Sequence, residues 1–254
     1  MSFANKVILI TGASSGIGAH AAEHLAKKGA SVSLVGRNQE RLNEVVERIK
    51  TAGAPIPLAI VADVTKDVQR IIDETVNHFG KLDVLINNAG IMSKDSIENV
   101  DLAEYDWIMN TNVRAVIELT KLAIPHLEKT KGNILNVSSA AGLRVKPNFL
   151  SYCISKAAVN QLTKSAALDL APKRIRVNAI NPVAVRTPLF ETGLGKSPQQ
   201  AEEFFESFKN IYPMGRVGEC DDTSAAIEYL IGDSASFITG ALFAVDGGAL
   251  TAGK

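Results

Sequence analysis

Cysteine is scarce in this chain, with two in 254 residues, Cys153 and Cys220. That excludes a disulfide framework as the organising device and makes a reduced, cytoplasmic protein the expectation. Net charge is absent too, with 27 basic residues against 27 acidic ones. Nothing global therefore favours nucleic acid or an anionic membrane surface. No apolar run approaches membrane-spanning length. Met1 to Lys6 leads straight into a strand-like run, leaving no room for a signal peptide. The four histidines (His20, His24, His78, His126) are scattered without metal-ligand spacing, so no metal is expected. Linkers, repeats and low-complexity tracts are missing as well.

What is present is an ordinary globular composition, 46% hydrophobic and 21% charged, on a chain long enough to bury a substantial core. Short apolar runs read as strands buried on both faces: Val7–Ile10, Ser31–Val35, Pro57–Val61, Leu82–Ile86, Ile134–Val137, Arg176–Ile180 and Leu242–Val245. Helical patterns fall between them. The alternation implies one domain, residues 1–254, built as a doubly wound parallel sheet of about seven strands, a Rossmann-type α/β fold. Ligands of such sheets sit at the carboxyl ends of the strands.

The first strand runs into Thr11-Gly12-Ala13-Ser14-Ser15-Gly16-Ile17-Gly18, with a helix beginning near Gly16. Strand, glycine loop and helix N-terminus together suit a dinucleotide phosphate, because glycines admit backbone close to the anion and free amides attract it. A tight structural turn is the plainer alternative. The second strand ends at Gly36-Arg37-Asn38, with no acid to select NAD. Arg37 could instead pair with a 2′-phosphate, worth roughly 1.5–3 kcal/mol per charge-assisted bond, so NADP(H) is expected over NAD(H). Otherwise Arg37 is a solvated residue opening the next helix, which Asn38 caps. The third strand ends at Asp63-Val64, where Asp63 either meets the adenine amino group or caps the following helix. After the fourth strand, Asn87-Asn88-Ala89-Gly90 reads as backbone held open near a ligand or as cross-strand bonding that fixes the sheet.

Asp101-x-x-Glu104 has the form of a capping box for a long helix, whose apolar stripe Asn112 interrupts. That amide must bond backbone at a kink or hold a water. The fifth strand leads to Ser139, at a strand end. If Ser151 caps a helix from Tyr152 to Leu170, Tyr152 and Lys156 lie one turn apart on one face. An ammonium beside a phenol lowers its pKa from about 10, so the pair could trade protons near neutral pH. The apolar girth of that helix suggests a subunit interface. Residues 185–214 hold Phe190, Leu194, Phe204, Phe205, Phe208 and Tyr212. They form a satellite core or the lid of an apolar substrate pocket, with the lid preferred.

Taken in order, Thr11-Gly12-x-x-x-Gly16-Ile17-Gly18, Asn87-Asn88-Ala89-Gly90, Asn112, Ser139 and Tyr152-x-x-x-Lys156 resemble the short-chain dehydrogenase/reductase family over essentially the whole chain. The sequence is similar to 3-oxoacyl-carrier-protein reductases and steroid-acting members. The resemblance implies Tyr152 as proton donor and acceptor, Lys156 lowering its pKa and holding the nicotinamide ribose, Ser139 donating to the substrate oxygen, and Asn112 binding a water through its backbone. It implies cofactor contacts from Gly12, Ser14, Ser15, Gly16, Ile17, Gly18, Arg37, Asp63, Val64, Asn88, Ala89, Gly90, Pro182, Val183 and Thr187. Val183 departs from the family's usual Pro-Gly and is expected to reshape the wall there. The expected protein is an NADP(H)-dependent carbonyl reductase/alcohol dehydrogenase of an apolar, steroid-like small molecule, assembled as a tetramer or dimer. A 3-oxoacyl thioester reductase is the alternative. A nucleotide-sensing or scaffolding protein on the same fold is the rival from another class.

Overall fold

The computed structural model describes residues 2–195 and 197–253. Lys196, inside the segment read as a lid, lies outside the described residues, as do Met1 and Lys254.

The first strand, β1 (Val7–Thr11), is buried along its whole length. Its side chains alternate, and both sets are apolar. Ile8 and Ile10 enter the core on one face of the sheet, and Val7 and Leu9 enter the core on the other. The inner strands β2 (Ser31–Gly36), β4 (Val84–Asn87), β5 (Asn133–Val137) and β6 (Arg176–Pro182) are buried in the same way, while the edge strands β3 (Leu58–Val61) and β7 (Leu242–Val245) are partly exposed. All pair in parallel, in the order β3-β2-β1-β4-β5-β6-β7. The doubly wound sheet is thus confirmed. β3 starts one residue later than expected because Pro57 has no N–H to donate. β4 is shifted toward its C-terminus: the Asp83 carboxylate takes the Val7 N–H at 2.8 Å, ahead of the ladder.

Helices α1 (Gly16–Ala26), α2 (Gln39–Thr51) and α9 (Cys220–Ile231) cover one face. Helices α3 (Val68–Phe79), α5 (Ala115–Thr130) and α6 (Leu150–Leu170) cover the other. The long helix expected after Asp101 is broken. It runs as α4 (Leu102–Met109), a five-residue π turn Asn110–Arg114, and then α5. Asp101 does cap α4, through the Ala103 N–H at 2.8 Å. Among the described residues Glu104 does not return the bond; its side chain is on a cavity wall instead.

α6 begins two residues before Tyr152, so Ser151 is not its cap. Ser151 lies in the first turn and donates, from its N–H and its hydroxyl, to the carboxylate of Asp95. A carboxylate from a distant segment thus satisfies the helix N-terminus that a local cap would otherwise serve. Two short helices, α7 (Leu189–Leu194) and α8 (Pro198–Phe208), follow β6. They fold over the carboxyl end of the sheet with a core of their own.

Candidate active site

β1 and β4 are neighbours, yet their chains leave toward opposite faces of the sheet. The crevice this opens at their carboxyl ends continues into a cavity of about 930 Å³. Thr11 and Asn88 stitch its floor. The Thr11 hydroxyl accepts from the Asn88 and Ala89 amides, both at 3.0 Å. Asn88 Nδ2 donates to the carbonyls of Thr11 at 2.8 Å and Gly12 at 3.1 Å. Asn87 turns the other way, to Asn136 and Thr120, and fixes the sheet. Each of the two readings of that asparagine pair therefore applies to one member.

Gly12 (φ 64°) and Gly16 (φ 55°) bring backbone against the cavity. Ser15, the residue before α1, makes no side-chain cap, so the first amides of the helix are not closed off by it. Gly18 does not line the cavity. A Cβ there would stand 2.4 Å from Asn88 Nδ2 and 2.5 Å from the Gly12 carbonyl. Gly18 supports the loop from beneath, packed against Asn88 and the Gly12 carbonyl. Ser14, Ser15, Ile17, Arg37, Asp63, Val64, Ala89 and Gly90 all lie on the wall, with Pro182, Val183 and Thr187.

Arg37 is exposed at the far end of the cavity. Arg41 joins it there, a residue the sequence reading passed over. The signal was available: Asn38 caps α2 by accepting the Arg41 N–H at 2.9 Å, which turns the first helical side chains back over the end of β2. Asp63 does not cap α3; Asp67 holds that position. The Asp63 carboxylate accepts from the Thr65 amide and hydroxyl at 2.9 and 2.8 Å. Burial pushes this carboxyl up, but the Thr65 bonds and the charges of Arg37 and Lys66 together hold it below its ordinary value.

The catalytic candidates meet at the middle of the cavity. Ser139 follows β5 and opens a short turn, its hydroxyl accepting the Ala141 N–H at 3.1 Å and donating to the Pro182 carbonyl at 3.4 Å. Lys156 is 5% exposed, donates to the Val137 carbonyl at 2.9 Å, and sits 5.7 Å from the Tyr152 ring centroid. The expected lowering of the phenol pKa by Lys156 is not found. Burial pushes Tyr152 up to about 12, against the opposing bond from Ser139. Burial also draws Lys156 down to about 8. Desolvation penalises both charged forms. Tyr152 thus carries its proton in this state, which suits it to donate in the reductive direction.

Asn112 does not line the cavity. The π turn aims its side chain at Ile91, accepting from its N–H at 2.9 Å and donating to its carbonyl at 2.8 Å, with a further bond to Ser155 at 3.0 Å. Backbone bonding at an irregular turn, one of the two sequence readings, is seen here. The residue clamps the 88–91 loop to α6, which carries Tyr152 and Lys156.

Phe190, Phe205, Tyr212, Met92 and Phe149 form a small core that includes Tyr152 itself. Phe190, Phe208, Ile211 and Tyr212 line the cavity, so the segment is a satellite core and a cavity cover at once. Val183, in place of glycine, packs against this core and lines the cavity beside Pro182. Met92, Trp107 and Leu250 are further wall residues that only the fold reveals. Among the described residues there is no metal-binding cluster, and no helix is long and apolar enough to cross a membrane.

The walls suit a nicotinamide dinucleotide. Glycine approaches that a Cβ would block, unclosed helix amides and two cations lie at one end, and titratable side chains lie at the other.

Comparisons with known proteins agree. Residues 12–250 match a family model described as enoyl-(acyl carrier protein) reductase. An uncharacterized oxidoreductase of Thermotoga maritima is 39% identical over 249 residues, covering 98% of either chain. A short-chain dehydrogenase/reductase of unknown function from Caenorhabditis elegans, crystallised with cofactor, has a TM-score of 0.93 at 37% identity, covering 98% of this chain and 96% of its own. The 3-ketoacyl-(acyl-carrier-protein) reductase of Brucella melitensis, complexed with NADH, has a TM-score of 0.88 at 39% identity, covering 98% and 99%. With motifs, topology and relatives in agreement along its length, the chain belongs to the short-chain dehydrogenase/reductase family, an oxidoreductase of alcohol and ketone groups.

Proposed function

We propose that this protein is an NADP(H)-dependent reductase of ketones with a largely apolar body, working reversibly on the matching secondary alcohols. The observation that carries the reading is a single cavity joining the glycine loop and the Arg37–Arg41 pair to Tyr152, under a cover of aromatic side chains. Bound NADPH would supply the hydride to the carbonyl carbon. The chain's own residues manage the oxygen. Tyr152, buried and neutral, gives its proton to that oxygen. Ser139 donates to the oxygen as negative charge grows there. The Lys156 ammonium stabilises the same charge at close range. Asn112 acts at one remove, by fixing the loop and helix that frame the site. Gly12, Ser14, Ser15, Gly16 and Ile17 would hold the phosphates, with Asp63 and Val64 near the adenine and Asn88, Ala89, Gly90, Pro182, Val183 and Thr187 around the ribose and nicotinamide.

A 3-oxoacyl thioester substrate is the second reading, favoured by the name of the Brucella relative. In either case the segment 185–214 serves as the substrate lid. The half-exposed Ile117 of α5 and Ile154 of α6, with Leu168 at 79% exposure, give those helices an outer apolar face that suits a homo-oligomer. A cytoplasmic setting, where NADPH is the abundant reductant, fits the paired-free cysteines.

The test is NADPH and NADH oxidation against a panel of ketones. Turnover is expected with NADPH, and a non-catalytic sensor would show none. Arg37→Ala with Arg41→Ala is expected to weaken NADPH binding about 10- to 100-fold and NADH binding less than threefold, as measured by fluorescence titration. Equal losses for both cofactors would contradict the phosphate assignment.

A further inference from the structure

Lys146 lies in the loop ahead of α6 and lines the cavity under the aromatic cover. Its ammonium stands 4.6 Å from the ring centre of Phe149, 5.2 Å from that of Phe204, 5.3 Å from Phe208 and 6.0 Å from Phe190. Ring faces attract a cation, but they do not serve its three N–H donors as an oxygen would. Burial holds this ammonium below its usual pKa, opposed by the nearby Cys153 thiol, and among the described side chains no carboxylate pairs with it. The other enclosed cations are treated differently. Lys156 has the Val137 carbonyl. Arg186, on the outer side of the same cover, is met by Glu202, Glu206 and Glu219. An apolar side chain at position 146 would have filled the same ring-lined space without burying a charge.

We propose that Lys146 pairs with a carboxylate on the substrate, so that the compound this cavity takes is an oxo acid with an apolar body. The carbonyl would sit at Tyr152, the carbon skeleton along the rings, and the acid at Lys146. A single ammonium balances a single negative charge. A dianion such as a phosphate monoester would leave one charge uncompensated among the rings. The placement of the carbonyl rests on the reductase reading above; the anchoring of the acid does not.

Binding tests it directly. Phenylalkanoic acids with chains of three to six carbons and their primary amides are titrated by calorimetry into the NADP⁺-loaded protein. At least one acid is expected to bind about 10-fold or more tightly than its amide. Lys146→Gln should abolish the difference, and Lys146→Arg should keep most of it. Arg144→Gln, which removes an exposed cation that lines the same cavity but faces none of these rings, should leave it intact. No acid outbinding its amide in the wild type, or a preference surviving Lys146→Gln, would overturn the proposal. Ketone reduction without acid preference sinks the anchor alone, and acid preference without any reduction sinks the reductase reading alone.

Discussion

Replacing Tyr152 by phenylalanine is expected to lower ketone reduction about 1,000-fold while NADPH affinity stays within about threefold of the wild type. The ring of Tyr152 belongs to the aromatic core beneath the cover, and phenylalanine keeps that packing. Only the hydroxyl goes, and with it the proton. The neutral phenol makes the direction of the pH effect definite. Tyr152, pushed up to about 12, keeps its proton throughout the working range. Lys156, drawn down to about 8, does not. Reductive kcat/KM should therefore be level at neutral pH and fall above about pH 8, as the ammonium loses its charge, while alcohol oxidation gains with rising pH. A reductive rate that climbs through pH 8, or a Tyr152→Phe variant with near-normal turnover, contradicts the assignment.

Gly18→Ala should be the most damaging single methyl group in the cofactor loop. Its Cβ would enter at 2.5 Å from the Gly12 carbonyl oxygen and 2.4 Å from Asn88 Nδ2. Neither neighbour can yield cheaply. The first is backbone of the phosphate loop, and the second is held by two hydrogen bonds to that same loop. Relief requires the loop to lift and the Asn88 bonds to lengthen. Overpacking of this kind costs about 1–3 kcal/mol, or a fall in Tm of roughly 2–12 °C for a chain of this size. NADPH affinity should drop at least about 10-fold, since the displaced segment is the proposed phosphate site. Gly53 is the useful contrast. It has a positive φ of 69° and nothing within 4 Å of its would-be Cβ. Alanine there meets only local backbone strain, far from the cavity, and should leave cofactor affinity unchanged. Equal cofactor affinity in the Gly18→Ala variant and the wild type, by titration, would show that the loop does not depend on this approach.

Short-range pattern made most of the fold and much of the site legible. Short continuous apolar runs announce the strands, and the spacing of Tyr152 and Lys156 needs only one helical turn. What escaped depends on partners distant in sequence. The cap of α6 is Asp95, 56 residues before Ser151, so the local serine was a natural but mistaken choice. Asn112 finds its partner in the backbone of Ile91, 21 residues away, and only the π turn aims it there. Arg41 reaches the cavity because Asn38 sets the start of α2. The raised pKa of Tyr152 was hidden for the same reason: pairing can be read from spacing, but the burial that pushes the phenol up comes from Met92, Phe149, Phe190 and Tyr212 closing in from separate segments.

The most direct test of the central claim is a crystal structure of the protein with NADP⁺ and an inert analogue of a ketone it reduces. The account places the analogue's oxygen within about 2.6–3.2 Å of both the Tyr152 hydroxyl and the Ser139 hydroxyl, with its adjoining carbon about 3–3.5 Å from the nicotinamide ring. An analogue bound under the aromatic cover with its oxygen turned away from Tyr152, or a nicotinamide ring seated elsewhere than beside that tyrosine, contradicts it.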